Sequence, residues 1–330
     1  MKPENRDNKV TELAPDTAAV DADAPKGSVR SSRKRYGSSL EFVRAKAAEA
    51  LAKVRAEEEN VVLQQELALW SDELRGVPNP MIRSGLFGIK TTGKREHFEN
   101  QVVVSLSNFK MLYTGKELLQ DDLSVWMSLL NLASRQRIGD TVFFTGYQLI
   151  KDIGWSVNKV SYVRARQCLE RLKANAIKIQ LPNGQRGYSG ALIRDFAWVS
   201  KEDGTENASW WVRFEPKIVD LFQPDTVTFV QWSQRKQIGS RATLTLWLHS
   251  FYTSHRDPLP ISLAKIHELA RSEQKDMRFF RRRVQNALET LKKIGLLTSY
   301  AISDGDIVTV KKAPVHVASL KNAATQRLLG

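Results

Sequence analysis

The chain has 330 residues, a formal net charge of +14 and a pI of about 9.8, which indicates a polyanionic partner such as nucleic acid. Residues 1–72 hold 12 Lys and Arg against 13 Asp and Glu, so the positive excess lies in residues 73–330. A single cysteine, Cys168, excludes an intrachain disulfide and a cysteine zinc cluster. Because no apolar run reaches the roughly 18 residues of a membrane span and no signal-peptide core is present, we expect a cytoplasmic protein without a membrane partner.

The N-terminal part is predicted to lie outside the globular domains. Residues 1–37 are rich in Asp, Pro, Ala and Ser and poor in bulky apolar residues, a composition typical of a disordered tail. Ser38 and Glu41 form a capping-box pattern that predicts a helix over about 39–66. The glycine and prolines between Gly76 and Pro80 then predict a linker.

A first folded module is predicted after this linker. Period-two alternation predicts a strand over Gln101–Phe109, and an apolar stripe predicts a helix over Asp121–Arg135. Residues 145–180 show a short apolar helix, a polar break, a longer basic helix and a strand. We predict a hairpin, or wing, made by Ile177–Leu181 and Leu192–Trp198.

A second module repeats the order of the first. Ser240 is predicted to cap a helix, and residues 261–300 again show a short helix, a break, a basic helix and a strand. Its wing is predicted from Leu296–Ile302 and Asp306–Lys311.

The two basic helices align at an offset of 119 residues, which makes Leu169 and Leu288 equivalent positions. A repeat at this distance indicates a duplicated domain. The predicted fold class is α+β, with two tandem winged helix-turn-helix domains in which the second helix enters a major groove. The predicted segments are a disordered tail (1–37), a helical segment (38–72), a basic linker (73–100), winged helix domain 1 (101–222), winged helix domain 2 (223–312) and a C-terminal tail (313–330).

One face of the second basic helix has the chemistry of base recognition. Arg can form two bonds to guanine, and Gln or Asn can do so with adenine. The alternative is a solvated basic face. The predicted base-reading residues of this helix, opposite its apolar stripe, are Lys275, Arg278, Arg282, Gln285 and Asn286.

The first basic helix carries fewer cations, so we expect it to read fewer bases. Its exposed valines either pack on a thymine methyl or contact a partner chain, and Cys168 is predicted to be a small core residue. The predicted base-reading residues here are Lys159, Val160, Val163, Arg164 and Gln167.

Further cations flank these helices or lie in the glycine-broken segment Arg83–Arg95. That segment either follows a DNA backbone or minor groove, or is a solvated loop, and Arg171 is either a phosphate contact or a surface charge. The predicted phosphate contacts are Arg83, Lys90, Lys94, Arg95, Arg166, Arg171, Arg281, Arg283, Lys292 and Lys293.

The sequence shows no credible catalytic constellation, so we predict that the chain is not an enzyme and needs no cofactor or metal. A glycine-rich phosphate loop is absent. His255-Arg256-Asp257 copies a kinase triplet without the kinase's other motifs, and Arg271 stands where a metalloprotease helix would need its second histidine.

With the modules placed, several short motifs resemble the TrfA family of plasmid replication initiators. Together they cover roughly residues 66–312 in the order and spacing of that family. The matching motifs are Val77-Pro78-Asn79, Arg83-Ser84-Gly85-Leu86-Phe87, Tyr113-Thr114-Gly115, Asp121-Asp122, Gly154-Trp155-Ser156, Cys168-Leu169-Glu170-Arg171-Leu172 and Ser254-His255-Arg256-Asp257-Pro258-Leu259-Pro260.

The resemblance implies an initiator that binds directly repeated double-stranded origin DNA and helps to open an adjacent AT-rich region. It also implies recruitment of the host initiator, the replicative helicase and the polymerase sliding clamp, and a homodimer as the inactive form. Family members carry a clamp-binding motif of the form Gln-Leu-x-Leu-Phe. The equivalent stretch here is Glu66, Leu67, Ala68, Leu69 and Trp70, which either fills an apolar pocket or forms the edge of the preceding helix.

Two other classes of function remain open at this point. A transcriptional regulator would use the same DNA-binding parts at a palindromic promoter site, whereas an initiator needs a run of direct repeats. A nicking enzyme would show metal-dependent cleavage of origin DNA.

Overall fold

A computed structural model describes residues 73–91, 93–106, 109–135, 141–180, 187–199, 209–222 and 226–314. The predicted disordered tail, the predicted helix over 39–66 and the predicted clamp motif at 66–70 lie outside the described residues, as does the C-terminal tail beyond Pro314.

The described part is a mixed α+β fold, as predicted. Its helices are α1 (Asn79–Ile82), α2 (Gln120–Arg135), α3 (Gly146–Ile153), α4 (Lys159–Lys173), α5 (Trp232–Ile238), α6 (Thr243–Thr253), α7 (Leu263–Leu269) and α8 (Met277–Lys293), with a 3-10 helix at Pro216–Leu221. Its strands are β1 (Leu74–Pro78), β2 (Phe87–Gly88), β3 (His97–Val102), β4 (Lys110–Lys116), β5 (Leu118–Leu119), β6 (Val142–Thr145), β7 (Asn175–Gln180), β8 (Gly187–Gly190), β9 (Asp195–Trp198), β10 (Ser209–Arg213), β11 (Val227–Gln231), β12 (Ile261–Ser262), β13 (Leu297–Ile302) and β14 (Ile307–Lys312).

These strands form small sheets in which neighbours in space are often distant in sequence. The largest described sheet is antiparallel with the order β3-β4-β7-β8, and two three-stranded sheets have the orders β6-β10-β9 and β12-β14-β13. An antiparallel pair, β1 with β11, and a parallel pair, β2 with β5, complete the described pairing.

The first hydrophobic core surrounds α2. Trp126, Met127, Leu129 and Leu130 are fully buried, because an α2 surface that is apolar on most sides can be stable only inside a core. The Trp126 indole donates a hydrogen bond to the carbonyl of Leu192 over 3.2 Å. The helix predicted over Asp121–Arg135 is therefore confirmed.

The predicted linker at 73–100 is wrong, because most of this segment is folded. Strand β1 pairs with β11, so that Val77 lies opposite Thr228. Val77, Met81 and Phe87 are buried in the first core. Gly76 and Pro78 lie within strand β1, and Pro80 lies in the first turn of α1, where a proline is tolerated.

The second core is built from α6, α7, α8 and the β12-β14-β13 sheet. Leu248, Leu263, Val284 and Leu288 are fully buried in it. Val230 and Trp232 still pack in the first core, so the predicted boundary at 222/223 falls too early. The hairpin predicted from Leu296–Ile302 and Asp306–Lys311 is confirmed as the antiparallel pair β13-β14.

Three local predictions are wrong. The strand predicted over Gln101–Phe109 ends at Val102. The first hairpin pairs β7 with β8, whereas the predicted partner Leu192–Trp198 contains β9, which pairs with β10. Ser240 does not cap α6, whose N-cap is Ala242 without a side-chain hydrogen bond.

Candidate nucleic-acid interface

The second predicted helix-turn-helix corresponds in the structure to α7 and α8, and both helices have a polar N-cap. The Ser262 hydroxyl accepts a hydrogen bond from the Lys265 amide over 3.2 Å, and the Asp276 carboxylate accepts one from the Arg278 amide over 2.8 Å. Between the helices, His267 Nε2 lies 2.7 Å from the Gln274 carbonyl, and its ring packs edge-on against Phe280. These contacts fix the direction in which α8 leaves the turn.

Helix α8 has one buried face and one cationic face. Phe280, Val284 and Leu288 are fully buried, as the predicted stripe requires. The predicted base-reading residues Arg278, Arg282, Gln285 and Asn286 are exposed on the other side, and Lys275 is exposed just before the N-cap. Within the described part of the chain, no carboxylate lies in ion-pair distance of Lys275, Arg278 or Arg282. Their charges are therefore available to a ligand.

Arg281 is bound to the β13-β14 hairpin, although about a third of its side chain is exposed. Its guanidinium donates to the carbonyls of Ser303 (3.0 Å) and Ile302 (3.1 Å) and forms an ion pair with Asp306. The prediction of Arg281 as a phosphate contact is therefore wrong, and its side chain instead joins α8 to the hairpin. Arg283 is half-buried, and both Lys292 and Lys293 are exposed in the last turn of α8.

The first predicted helix-turn-helix corresponds to α3 and α4, and α3 begins with a complete capping box. The Thr145 hydroxyl accepts from the Gln148 amide over 3.1 Å, and the Gln148 side chain accepts from the Thr145 amide over 2.8 Å. Gly154 ends α3 with a φ of 81°, a left-handed conformation that favours glycine. Asn158 caps α4 through a 2.9 Å bond from the Ser161 amide.

The outer face of α4 is less charged than that of α8. Lys159, Val160 and Gln167 are exposed, whereas Val163 and Arg166 are half-buried. The Arg166 guanidinium lies over the Trp198 ring at 5.6 Å from its centroid.

Arg164 is tied to the N-terminus of α2. Its guanidinium forms two bonds to the Asp121 carboxylate, of 2.8 and 2.6 Å, and lies over the Trp155 ring at 4.1 Å. Base reading would have to break this pair, so we assign Arg164 to the internal structure.

Asp122, which has no solvent exposure, holds two further cations. Its carboxylate accepts from Arg95 Nη1 over 2.5 Å and from Arg171 Nε over 2.9 Å, and its Oδ2 also accepts from the Leu119 amide over 2.8 Å. Arg95 and Arg171 are therefore also removed from the predicted phosphate contacts.

Cys168 lies beside this group in the core, as predicted. Its sulfur accepts a hydrogen bond from Arg171 over 3.2 Å. Burial, together with the nearby Asp122 carboxylate, raises the pKa of the thiol well above its usual range, so the thiol stays protonated and inert.

The cations of the predicted linker are largely engaged as well. Arg83 donates to the hydroxyl of Ser254 over 3.1 Å and to its carbonyl at the end of α6, a favourable place for a cation. Lys90 forms a 2.5 Å ion pair with Glu273. Lys94 is exposed. Of these three predicted phosphate contacts, Lys94 is the one without such an internal bond in the described residues.

A cleft of about 460 Å³ lies between this segment and the start of α6, and four of its ten lining residues are cationic. Lys90, Arg95 and Arg164 line it together with Arg241, which the sequence reasoning missed. Arg241 is exposed and has no carboxylate partner in the described ranges. In the sequence, the one sign of a role for Arg241 is its position two residues before the start of α6.

The described residues show no group of three or more His, Cys, Asp or Glu side chains able to hold a metal ion. None of the described helices has the length and apolar character needed to cross a bilayer.

The described part is thus an α+β protein in which α8 presents an exposed row of cationic and amide side chains. Comparison with known proteins gives the family. The chain belongs to the TrfA family, because the profile of that family, described as TrfA protein, matches residues 37–312.

Two curated relatives carry replication names. The Escherichia coli "Plasmid replication initiator protein TrfA" is 31% identical over 250 residues, which is 75% of this chain and 64% of that protein. The Salmonella typhi "Replication protein RepA" is 23% identical over 195 residues, covering 58% of this chain and 54% of that protein. The match thus spans less than two thirds of the length of either relative.

Two solved structures of domains 2 and 3 of RctB are also similar to this chain. One has a TM-score of 0.45 at 13% identity and covers 69% of this chain and 95% of that one. The other has a TM-score of 0.46 at 15% identity and covers 73% and 97%.

Proposed function

We propose that the chain is a plasmid replication initiator that binds direct repeats at its origin through two winged helix-turn-helix modules. Membership of the TrfA family supports the initiator role. The observation that carries the DNA-binding role is the row of exposed cations and amides on α8, which lacks internal carboxylate partners in the described residues. In this arrangement α8 reads base edges and the exposed lysines of its last turn bind phosphate.

The proposal extends to what the initiator does after binding. It opens the adjacent AT-rich region, recruits the host initiator and helicase, and binds the sliding clamp through residues 66–70. It acts without catalysis, and its homodimer is the inactive form. The family resemblance supports these steps. Clamp binding is the step in which this chain departs from the family motif, because Glu66 and Trp70 replace its glutamine and phenylalanine.

Base reading by α8 is tested by removing one side chain at a time. Arg278→Ala and Arg282→Ala should each lower the affinity for repeat DNA by about 5- to 150-fold, because a bidentate contact with guanine contributes roughly 1 to 3 kcal/mol. The affinity for scrambled DNA should change much less. Fluorescence anisotropy at fixed salt measures both.

Lys292→Ala is the matched control on the same helix. It should weaken binding to repeat and scrambled DNA about equally, because a phosphate contact carries no sequence information. If Arg278→Ala and Arg282→Ala behave like Lys292→Ala, α8 is not the reading surface. If the unaltered chain itself does not distinguish repeat from scrambled DNA, the proposed function is wrong.

A further inference from the structure

The two basic helices share one register in the folded protein. At the offset of 119 residues, every core position in the second half of α4 has a buried equivalent in α8. The buried pairs are Ala165 with Val284, Cys168 with Ala287, Leu169 with Leu288, and Leu172 with Leu291. The same offset makes Val160 equivalent to Phe279.

Each helix exposes one apolar side chain, and both occupy this shared position. Val160 is 75% exposed and Phe279 is 49% exposed. The other exposed positions of α4 are Lys, Gln or Glu, and those of α8 are Arg, Lys, Gln or Asn. A single exposed apolar residue is ordinary, but the same exception at the same position of two diverged helices calls for a shared role.

The surroundings of Phe279 favour DNA over a protein partner. It lies in the first turn of α8, next to Arg278 and one turn before Arg282 and Arg283. Its amide donates to the Asp276 carboxylate over 3.3 Å, which fixes the backbone at this point. A single exposed ring with arginines at the adjacent position and one turn later is too small and too cationic for a protein-docking patch.

The first turn of the second helix is the part of a helix-turn-helix that approaches base edges. Among the groups on the floor of the major groove, the C5-methyl of thymine is the apolar one. Val160 occupies the equivalent turn of α4, beside the exposed Lys159. Both side chains therefore have the position and the chemistry to contact a thymine methyl.

We propose that Phe279 and Val160 each contact a thymine methyl, one in each of two neighbouring major grooves, and so help to determine which repeat is bound. This inference rests on the proposed function. The inference adds a requirement for thymine at two positions of the repeat. The exposed cations and amides of α8 alone would not impose that requirement.

The test replaces single thymidines in the duplex by deoxyuridine, which removes the C5-methyl group and keeps the base pairing. The probe is a duplex selected from a random library by the full-length chain. Each substituted duplex is titrated with the unaltered chain, with Phe279→Ala and with Val160→Ala. Leu259→Ala is the control, because Leu259 is exposed and apolar but lies outside both helices.

For the unaltered chain, deoxyuridine should weaken binding about four-fold at two positions, the effect of one buried methyl group. Phe279→Ala should lose this sensitivity at one of them and Val160→Ala at the other, while Leu259→Ala keeps both. Phe279→Met should restore sensitivity at the position lost in Phe279→Ala.

The inference is overturned if all variants show the same profile as the unaltered chain, or if no thymine is sensitive. Its failure is distinct from failure of the proposed function. If only the thymine contacts are wrong, the unaltered chain still selects a defined duplex from the library. If the proposed function is wrong, no duplex is enriched and both proposals are overturned.

Discussion

Helices α4 and α8 share a core register but differ in what happens to their arginines. On α4, Arg164 and Arg171 are bound to Asp121 and Asp122 at the start of α2. On α8, Arg281 is the arginine with an ion pair among the described residues, and Arg278 and Arg282 face outward. The number of cations on a helix is therefore a poor measure of the charge it offers to a ligand.

The difference has a physical origin in where the carboxylates lie. Asp121 and Asp122 stand in the first turn of α2, where the helix dipole favours negative charge, and α4 packs against that turn. Helix α8 packs against α6, whose first turn carries no acidic residue. One of the two helices thus stabilises the first core, whereas the other presents its charge to solvent.

The largest effect should come from removing the carboxylate that organises α4. Asp122→Ala leaves Arg95 and Arg171 without their partner in a buried site, where loss of one member of an ion pair costs about 3 to 5 kcal/mol. We expect this drop in the free energy of unfolding, measured by urea denaturation followed by circular dichroism.

Asp121→Ala is the matched control for that measurement. Asp121 is partly exposed and binds one arginine, so its removal should cost roughly 1 kcal/mol. Equal costs for the two variants would show that the ion pairs of Asp122 do not stabilise the first core.

The second core, which includes α6, contains a buried titratable group without an opposite charge beside it. His249 in α6 is fully buried, and its Nε2 lies 3.2 Å from the Gln234 amide oxygen. Burial, aided by the charge of Arg235, lowers its pKa from 6.5 to about 3. Between these values the unfolded chain binds the proton and the folded chain does not.

Protonation of His249 in the unfolded chain should therefore lower the stability of the second core at acid pH. The stability that this group contributes is complete above pH 6.5 and is lost as the pH falls toward 3, with a limiting slope of about 1.4 kcal/mol per pH unit. His249→Gln should flatten the pH dependence of the urea midpoint over this window. An unchanged slope would mean that another group controls acid unfolding.

Patterns within one helix were predictable from the sequence. The stripe through Phe280, Val284, Leu288 and Leu291 is buried as expected, because a 3.6-residue period depends only on local geometry. The second hairpin is confirmed for a similar reason, since a short Asp304-Gly305 turn fixes the pairing of its flanking strands.

Features that depend on distant partners were not predictable. Asp121 and Arg164 are 43 residues apart in the chain, so no local pattern joins them. Strand β1 pairs with β11, about 150 residues further along the chain, so the local glycine and prolines alone suggested a linker. The first hairpin failed because β7 and β9 have similar apolar alternation but belong to different sheets.

The smallest expected change in stability comes from single arginine substitutions, which compare the roles of α4 and α8 directly. Arg164→Ala removes a partly exposed two-bond ion pair and the contact with Trp155, so it should lower the free energy of unfolding by about 1 kcal/mol. Its preference for repeat over scrambled DNA should stay that of the unaltered chain. Arg282→Ala should do the reverse, keeping stability within about 0.5 kcal/mol and losing the preference. If Arg164→Ala loses the preference at unchanged stability, then α4 releases its arginine to DNA, and the division between a stabilising helix and a reading helix does not hold.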